Sequence, residues 1–179
     1  MNTREIINRF DQYLSIKGLQ FEAVAIGGAA LNLLGVVNRP TKDCDILCPE
    51  IPAEIAEASQ SFAVKLRKEG GVLADGWLNN GPVSLANHLL QGWEDRLQPL
   101  FAGKAIHLRS LHRSDLLCAK LFALCDRGID LADCIALAPT ADELAIVLSW
   151  LEQQDANPDW PAHVSATLAD LGKRLGYVL

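Results

Sequence analysis

Residues 24–47 read VAIGGAALNLLGVVNRPTKDCDIL, and this stretch decides the fold of the first part of the chain. The apolar run that ends before Gly27 predicts a buried strand. The following AALNLLG predicts a helix that ends at Gly35, and KDCDILC predicts a return strand after a break at Pro40. We therefore expect a strand–turn–helix–strand unit with glycines at one strand end and aspartates at its neighbour.

The patterns outside this stretch predict a mixed α/β core followed by a helical region, with a boundary near Leu111. An amphipathic helix is expected after a Thr3 N-cap, with Gly18 as its stop. KAIHLRSL alternates as a strand does, whereas VSLANHLLQGWEDRLQPL is expected to be mostly helical. The later helices are expected at residues 114–126, 129–137, 140–154 and 161–175.

Composition bounds the classes of function that the chain can serve. It has 179 residues, a net charge of −6, a pI of about 5.1 and five cysteines. An acidic chain is a poor general binder of nucleic-acid backbone, although a local basic patch or metal ions can still bind a polyanion. The cysteines lack close metal-ligand spacing, and the charged start lacks the apolar core of a signal peptide. We expect reduced thiols, a cytoplasmic location and no membrane span.

Gly27 and Gly28 lie between the predicted strand and helix. A glycine pair lets the backbone turn sharply and lets a ligand approach its N–H groups closely. The N-terminus of a helix also favours an anion such as a phosphate. The alternative is a tight turn that packs Ala29 and Ala30 against the sheet, and the dipeptide alone favours that alternative.

Asp43 and Asp45 are two residues apart on the predicted return strand, so their carboxylates are expected on one side. Adjacent carboxylates repel each other, and a hard divalent cation such as Mg²⁺ or Mn²⁺ relieves the repulsion. Arg39, Thr41 and Lys42 lie just before the acids, where each can hold a phosphate or orient the loop. The alternative is a solvent-facing acidic strand edge.

Together, the glycine pair and R-x-T-x-D-x-D-I resemble the signature of the nucleotidyltransferase superfamily. The stretch is most similar to a bacterial family related to the toxins of type IV toxin–antitoxin and abortive-infection systems. The resemblance implies an α/β (α+β) fold: a nucleotidyltransferase-like core with a small mixed sheet flanked by helices at residues 1–111, and a C-terminal helical bundle at 112–179 packed on it. It also implies that Asp43 and Asp45 bind the metal, with nucleotide contacts from Gly27, Gly28, Arg39, Thr41 and Lys42.

A second segment, residues 115–137, is similar to that family's later helical motif. Its counterparts here are Lys120, Arg127, Asp130 and Asp133. Lys120 lies in the otherwise apolar LLCAKLFAL, where a cation costs free energy unless it reaches solvent or meets an anion. The resemblance implies that Lys120 binds nucleotide and acts in catalysis with Asp130. The alternatives are a lysine at the rim of an amphipathic helix, and helix-start acids favoured by the dipole.

The implied reaction is transfer of a nucleoside monophosphate from an NTP to an acceptor, with Mg²⁺ or Mn²⁺ as cofactor. The acceptor is an RNA such as tRNA, a protein hydroxyl or a small molecule, and a cognate antitoxin is a candidate partner. The alternative is a catalytically weak or inactive nucleotide-binding module of the same fold that acts through partner binding.

One feature departs from the superfamily pattern, in which many active members place a third metal-binding carboxylate on a later strand. The best later strand here, KAIHLRSL, offers His107 and Arg109 but no acid. Either Asp115 or Asp130 supplies that function, or two carboxylates suffice, or the site is weakened.

Overall fold

The computed structural model describes residues 1–177, apart from the side chains of residues 83 and 84. By their internal contacts these residues divide into two units. The first comprises residues 1–87 and 91–112, and the second comprises residues 88–90 together with the chain from residue 113 onward. The predicted packing of the helical region on the core stays a prediction.

The first unit holds one mixed sheet and the helices that cover it. Within the described residues the sheet has five strands in the order β3-β2-β1-β5-β4. Strand β1 pairs antiparallel with β2 and parallel with β5, while β3 is parallel to β2 and β4 antiparallel to β5. The elements are α1 (Thr3–Ile16), β1 (Phe21–Ile26), α2 (Gly27–Leu33), β2 (Cys44–Cys48), α3 (Ala53–Lys68), β3 (Leu78–Asn79), β4 (Gln98–Ala102) and β5 (Ile106–Ser110), with 3-10 helices at Val83–His88 and Trp93–Arg96.

Apolar side chains of α1, α2 and α3 pack with the sheet into one core. This core contains an aromatic cluster in which the ring of Phe10 lies 5.1 Å from Trp77 and 5.2 Å from Phe62, measured between centroids. Burial of such rings supplies much of the stabilisation of a small core. Trp77 also donates its indole N–H to the carbonyl of Ser59, which fixes the chain just before β3.

Asp11 is a buried carboxylate that joins α1 to the turn between β4 and β5. It accepts backbone hydrogen bonds from Lys104, Ala105 and Ile106 at 3.2, 2.8 and 2.8 Å. Burial alone raises the pKa of Asp11, but these hydrogen bonds outweigh burial, so the pKa lies below its ordinary value of 3.8. A side chain at Gly103 would collide with this carboxylate.

The second unit is helical. Its helices are α4 (Arg113–Arg127), α5 (Leu131–Leu137), α6 (Ala141–Leu151) and α7 (Trp160–Leu175). Arg113 joins three of them, because it donates to the carbonyl of Leu137 at the end of α5 and pairs with Glu143 in α6. Thr140 and Glu143 form a capping box at the start of α6.

The fold class and most elements predicted from the sequence are confirmed, with two corrections. The first helix is capped by Asn2, whose side chain accepts from the N–H of Glu5 at 2.8 Å, and not by Thr3. The mostly helical interpretation of residues 83–100 is correct only in part, since the helical residues form two short 3-10 helices, at Val83–His88 and Trp93–Arg96, and β4 begins at Gln98. Pro99 is tolerated there because β4 is an edge strand, where a missing N–H costs no ladder bond.

None of the helices in the described part of the chain combines the length and the apolar character that crossing a membrane requires.

We expect Asp11→Ala to lower the free energy of unfolding by about 2–4 kcal/mol, because the buried N–H groups of the β4–β5 turn lose their charged acceptor. The matched control is Asp75→Ala, which removes an exposed ion pair with Arg67 and is expected to cost less than about 1 kcal/mol. Urea unfolding of both variants measures the difference.

The same comparison has a predicted pH dependence. Because the folded-state pKa of Asp11 is lowered, its contribution is complete above about pH 3.9, the pKa of an unfolded aspartate, and is lost as pH falls through the folded-state pKa. The stability gap between wild type and Asp11→Ala should therefore shrink below pH 3.9. A gap that stays constant down to pH 2 would contradict this role.

Candidate functional site

The pairing of β1 with β2 brings the glycine turn and the acidic pair together. Ile26, the last residue of β1, lies opposite Asp45 in the antiparallel register. Gly27 follows Ile26 directly and opens α2. The first aspartate, Asp43, lies just before β2, which begins at Cys44. The end of β1 and the start of β2 therefore form one edge of the sheet, where all four predicted glycine and aspartate positions meet.

Gly27 is required at this edge for two reasons. Its φ is +71°, which favours glycine over any residue with a Cβ. A Cβ at this position would also collide with Oδ2 of Asp45. The backbone of the turn and the carboxylate thus approach each other as closely as the absence of a side chain permits.

Gly28 has a similar relation to Thr41. A Cβ on Gly28 would lie 3.2 Å from the hydroxyl of Thr41, which is closer than ordinary packing. That hydroxyl donates to the carbonyl of Asp43 at 3.0 Å and lies 3.3 Å from Oδ1 of the same residue. Thr41 therefore connects the second glycine of the turn to the first aspartate.

Asn79 is a site residue that the sequence did not reveal. It lies on β3, in parallel register with Asp45, and its Nδ2 donates to Oδ1 of Asp45 at 3.2 Å. The segment GVLADGWLNNG is ambiguous and indicates a strand followed by a turn at Asn80–Gly81, and the observed strand is only two residues long. So short a strand gives no periodic signal in the sequence, and it is defined only by its pairing with β2.

The pKa of Cys44 responds to the negative charges of the two aspartates, between which it lies in sequence. Burial, followed by the charges of Asp45 and Asp43, raises the pKa of this thiol to about 12. The thiol is therefore protonated at neutral pH, as expected for a small buried side chain. Asp43 is exposed and Asp45 half-buried, so both carboxylates lie near the surface.

Arg39 and Lys42 lie on the loop between α2 and β2, and both are exposed. The loop is held by Asn32, whose Nδ2 donates to the carbonyls of Val37 and Arg39 at 3.3 and 2.9 Å. The two basic residues therefore precede the acidic pair in sequence, on a loop whose backbone is held at Val37 and Arg39.

The donor set at this edge fits a hard divalent cation that shares its coordination with a ligand. Mg²⁺ binds through one or two carboxylates and completes its shell with phosphate oxygens and water. Asp43 and Asp45 provide that number. Among residues 1–177 no group of three or more His, Cys, Asp or Glu side chains is placed to hold a metal by itself.

Lys120, Asp130 and Asp133 form a charged cluster inside the second unit. The ammonium of Lys120 lies 3.0 Å from Oδ2 of Asp130 and 2.8 Å from Oδ2 of Asp133. Burial alone lowers the pKa of Lys120, but hydrogen bonds and charges from Asp133 and Asp130 outweigh burial and raise it. Asp133 is buried and Asp130 is partly exposed, with a φ of +69°.

The five-stranded mixed sheet, with a glycine turn beside Asp45 on the adjacent strand and Asp43 just before that strand, is consistent with a nucleotidyltransferase-like fold. Residues 3–139 match the family described as "Nucleotidyltransferase of unknown function (DUF6036)", and the chain belongs to this family. No curated protein matches the chain, and no solved structure matches it.

We expect Gly27→Ala to disturb the site more than Gly35→Ala does. Both glycines have positive φ, of +71° and +77°, but the space around Gly35 is open. Gly35→Ala should cost about 1–2 kcal/mol of stability for the backbone alone. Gly27→Ala should cost a further ~1–3 kcal/mol, because its Cβ displaces the carboxylate of Asp45. Thermal unfolding of the two variants tests this, and equal losses would contradict the close approach.

We expect Asp133→Asn to destabilise the second unit more than Asp130→Asn. The first removes a fully buried partner of Lys120 and should cost about 1–3 kcal/mol, since the lysine keeps only the more exposed carboxylate. The second removes only the more exposed partner and should cost less than about 1 kcal/mol. Asn also tolerates the positive φ at this position, so the backbone adds no strain. Denaturant unfolding measures both, and a larger loss in Asp130→Asn would be inconsistent with this burial order.

Proposed function

We propose that the chain transfers a nucleoside monophosphate from an NTP to a hydroxyl acceptor, at the sheet edge formed by Gly27, Gly28, Asp43 and Asp45. Membership of a nucleotidyltransferase family supports the class of reaction. The observation that supports the location is the contact of Gly27 with Asp45, where any Cβ would collide with the carboxylate. A glycine backbone without side chains, next to two carboxylates, suits a ligand that brings both phosphate and a cation.

In this proposal, Asp43 and Asp45 hold Mg²⁺ or Mn²⁺, and the N–H groups of the turn at Gly27 and Gly28 face the phosphates. When bound, the cation neutralises phosphate charge and favours attack at the α-phosphorus. The acceptor oxygen forms a bond to that phosphorus, the bond from the α-phosphorus to the bridging oxygen breaks, pyrophosphate leaves with the electron pair of that bond, and the proton of the acceptor hydroxyl passes to solvent water. Arg39, Thr41 and Lys42 orient the loop and the phosphates by position and charge.

The resemblance gives Lys120 and Asp130 a part in the same reaction, and this part stays a proposal. Lys120 is shared by two carboxylates, so its charge is balanced within the second unit. Because Asp130 is the more exposed of the two, it is the one that can act on a ligand, while Asp133 keeps the lysine charged and in place.

The acceptor is proposed by class. An RNA such as tRNA, a protein hydroxyl and a small molecule all present the required oxygen. The net charge of −6 disfavours a large RNA-binding surface, which leaves local contacts or metal ions to bind it. A role in toxin–antitoxin or phage-defence systems, with a cognate antitoxin as partner, rests on the sequence resemblance alone.

A second candidate function is a nucleotide-binding module with weak or no catalysis. It is favoured by one observation: no cluster of three metal-ligand side chains occurs in residues 1–177. Such a module would bind the metal–nucleotide complex at the same edge and act through a partner protein.

We expect the double variant Asp43→Asn/Asp45→Asn to lose nucleotide transfer by a factor of about 10² or more, because the phosphates lose the carboxylates that hold their cation. The purified protein is incubated with each α-labelled NTP, Mg²⁺ or Mn²⁺, and total RNA or cell lysate. Transfer of label to RNA or protein is then measured.

The matched control is Asp75→Asn, an exposed aspartate of the same unit that pairs with Arg67 and lies outside the site. This control should label as the wild type does. Equal labelling by the wild type and the double variant would rule out the proposed site. Binding of nucleotide without labelling by any form of the protein would favour the module.

A further inference from the structure

The amide of Asn79 has one defined orientation. Its Oδ1 accepts from the N–H of Gly81 at 2.7 Å, and a backbone N–H can only donate. The other end of the amide, Nδ2, must therefore face Asp45, and it lies 3.2 Å from Oδ1 of that residue. Asn79 thus presents a hydrogen-bond donor to the carboxylate and not an oxygen.

The strand that carries Asn79 is fixed on both sides. Before it, Trp77 is buried in the aromatic core and its carbonyl accepts from the N–H of Cys44 on β2. After it, Asn80 donates to the carbonyls of Ile46 and Pro49 at 3.1 Å. These contacts place Asn79 beside Asp45 independently of the hydrogen bond between the two side chains.

We infer that Asn79 is a positioning residue that occupies the place of a third carboxylate, so that the site holds a divalent cation only together with the phosphates of a nucleotide. This inference rests on the proposed function of the same site. Asn79 is the lateral neighbour of Asp45 on the next strand, at the distance where a carboxylate could share a cation with it. An amide in that place donates to Asp45 and adds no negative charge.

The charge of the site decides how it binds a metal. Two carboxylates attract a divalent cation less strongly than three, and the number of charged ligands tunes affinity over orders of magnitude. With Asn79 in place, the phosphates must supply the remaining negative oxygens. Binding of metal and binding of nucleotide are therefore coupled, and each strengthens the other.

The test is the affinity for Mn²⁺ alone, without nucleotide, measured by electron paramagnetic resonance on the wild type and on Asn79→Asp. The substituted carboxylate keeps its acceptor oxygen for Gly81 and turns the other toward Asp45, where the like charges need a cation between them. We expect Asn79→Asp to bind Mn²⁺ at least about tenfold more tightly than the wild type. An unchanged affinity in a folded variant would overturn the inference.

The double variant Asp45→Asn/Asn79→Asp is the matched control, because the amide and the carboxylate exchange places and the number of charges stays that of the wild type. It should bind Mn²⁺ as weakly as the wild type does, and binding as tight as in Asn79→Asp would overturn the inference. If like charges unfold Asn79→Asp, Mn²⁺ should refold it, as followed by circular dichroism. A variant that stays unfolded in Mn²⁺ would count against the inference.

The Mn²⁺ measurement separates this inference from the proposed function. It contains no nucleotide and no acceptor, so it reports only whether position 79 faces the cation site. Tighter Mn²⁺ binding in Asn79→Asp would support the inference even if the wild type transferred no label. Active transfer by the wild type, with unchanged Mn²⁺ affinity in Asn79→Asp, would remove the inference and leave the function in place.

Discussion

The contact between the backbone of Gly27 and the carboxylate of Asp45 is the constraint on which the first unit's site depends. It follows from the antiparallel register that sets Ile26 opposite Asp45, so the turn after β1 must pass directly over the start of β2. A Cβ at this position would force the carboxylate of Asp45 to move, and the positive φ of the turn favours glycine. One residue further on, Gly28 lies close to the hydroxyl of Thr41, and that hydroxyl donates to the carbonyl of Asp43.

The acidic edge is costly to the protein by itself, because carboxylates close in space repel each other. The surrounding residues reduce that cost in different ways. Asn79 donates to Asp45, and Thr41 donates to the backbone carbonyl of Asp43. Asp43 is exposed and Asp45 is half-buried, so both carboxylates lie near the surface.

The sequence predicted the parts of the fold that have strong local signals. The β1–turn–α2–β2 unit and the four later helices follow from periodicity and from glycine and proline positions. Asn79 and β4 were missed for a physical reason: β3 is two residues long and β4 is an edge strand with a proline, so both are defined by pairing with distant segments. The sequence indicated that the cation of Lys120 must reach solvent or meet an anion, and in the structure the anions are Asp130 and the buried Asp133.

The central claim is that the glycine turn and Asp45 form a single site for a metal–nucleotide complex. Equilibrium binding of a non-hydrolysable NTP analogue, with Mg²⁺ and with a chelator in its place, tests this claim most directly. We expect the wild type to bind the analogue only with Mg²⁺, and we expect Asp45→Asn to lose this Mg²⁺-dependent binding while Asp75→Asn keeps it. Binding that is equally tight in the chelator, or equally tight in Asp45→Asn with Mg²⁺, would contradict it.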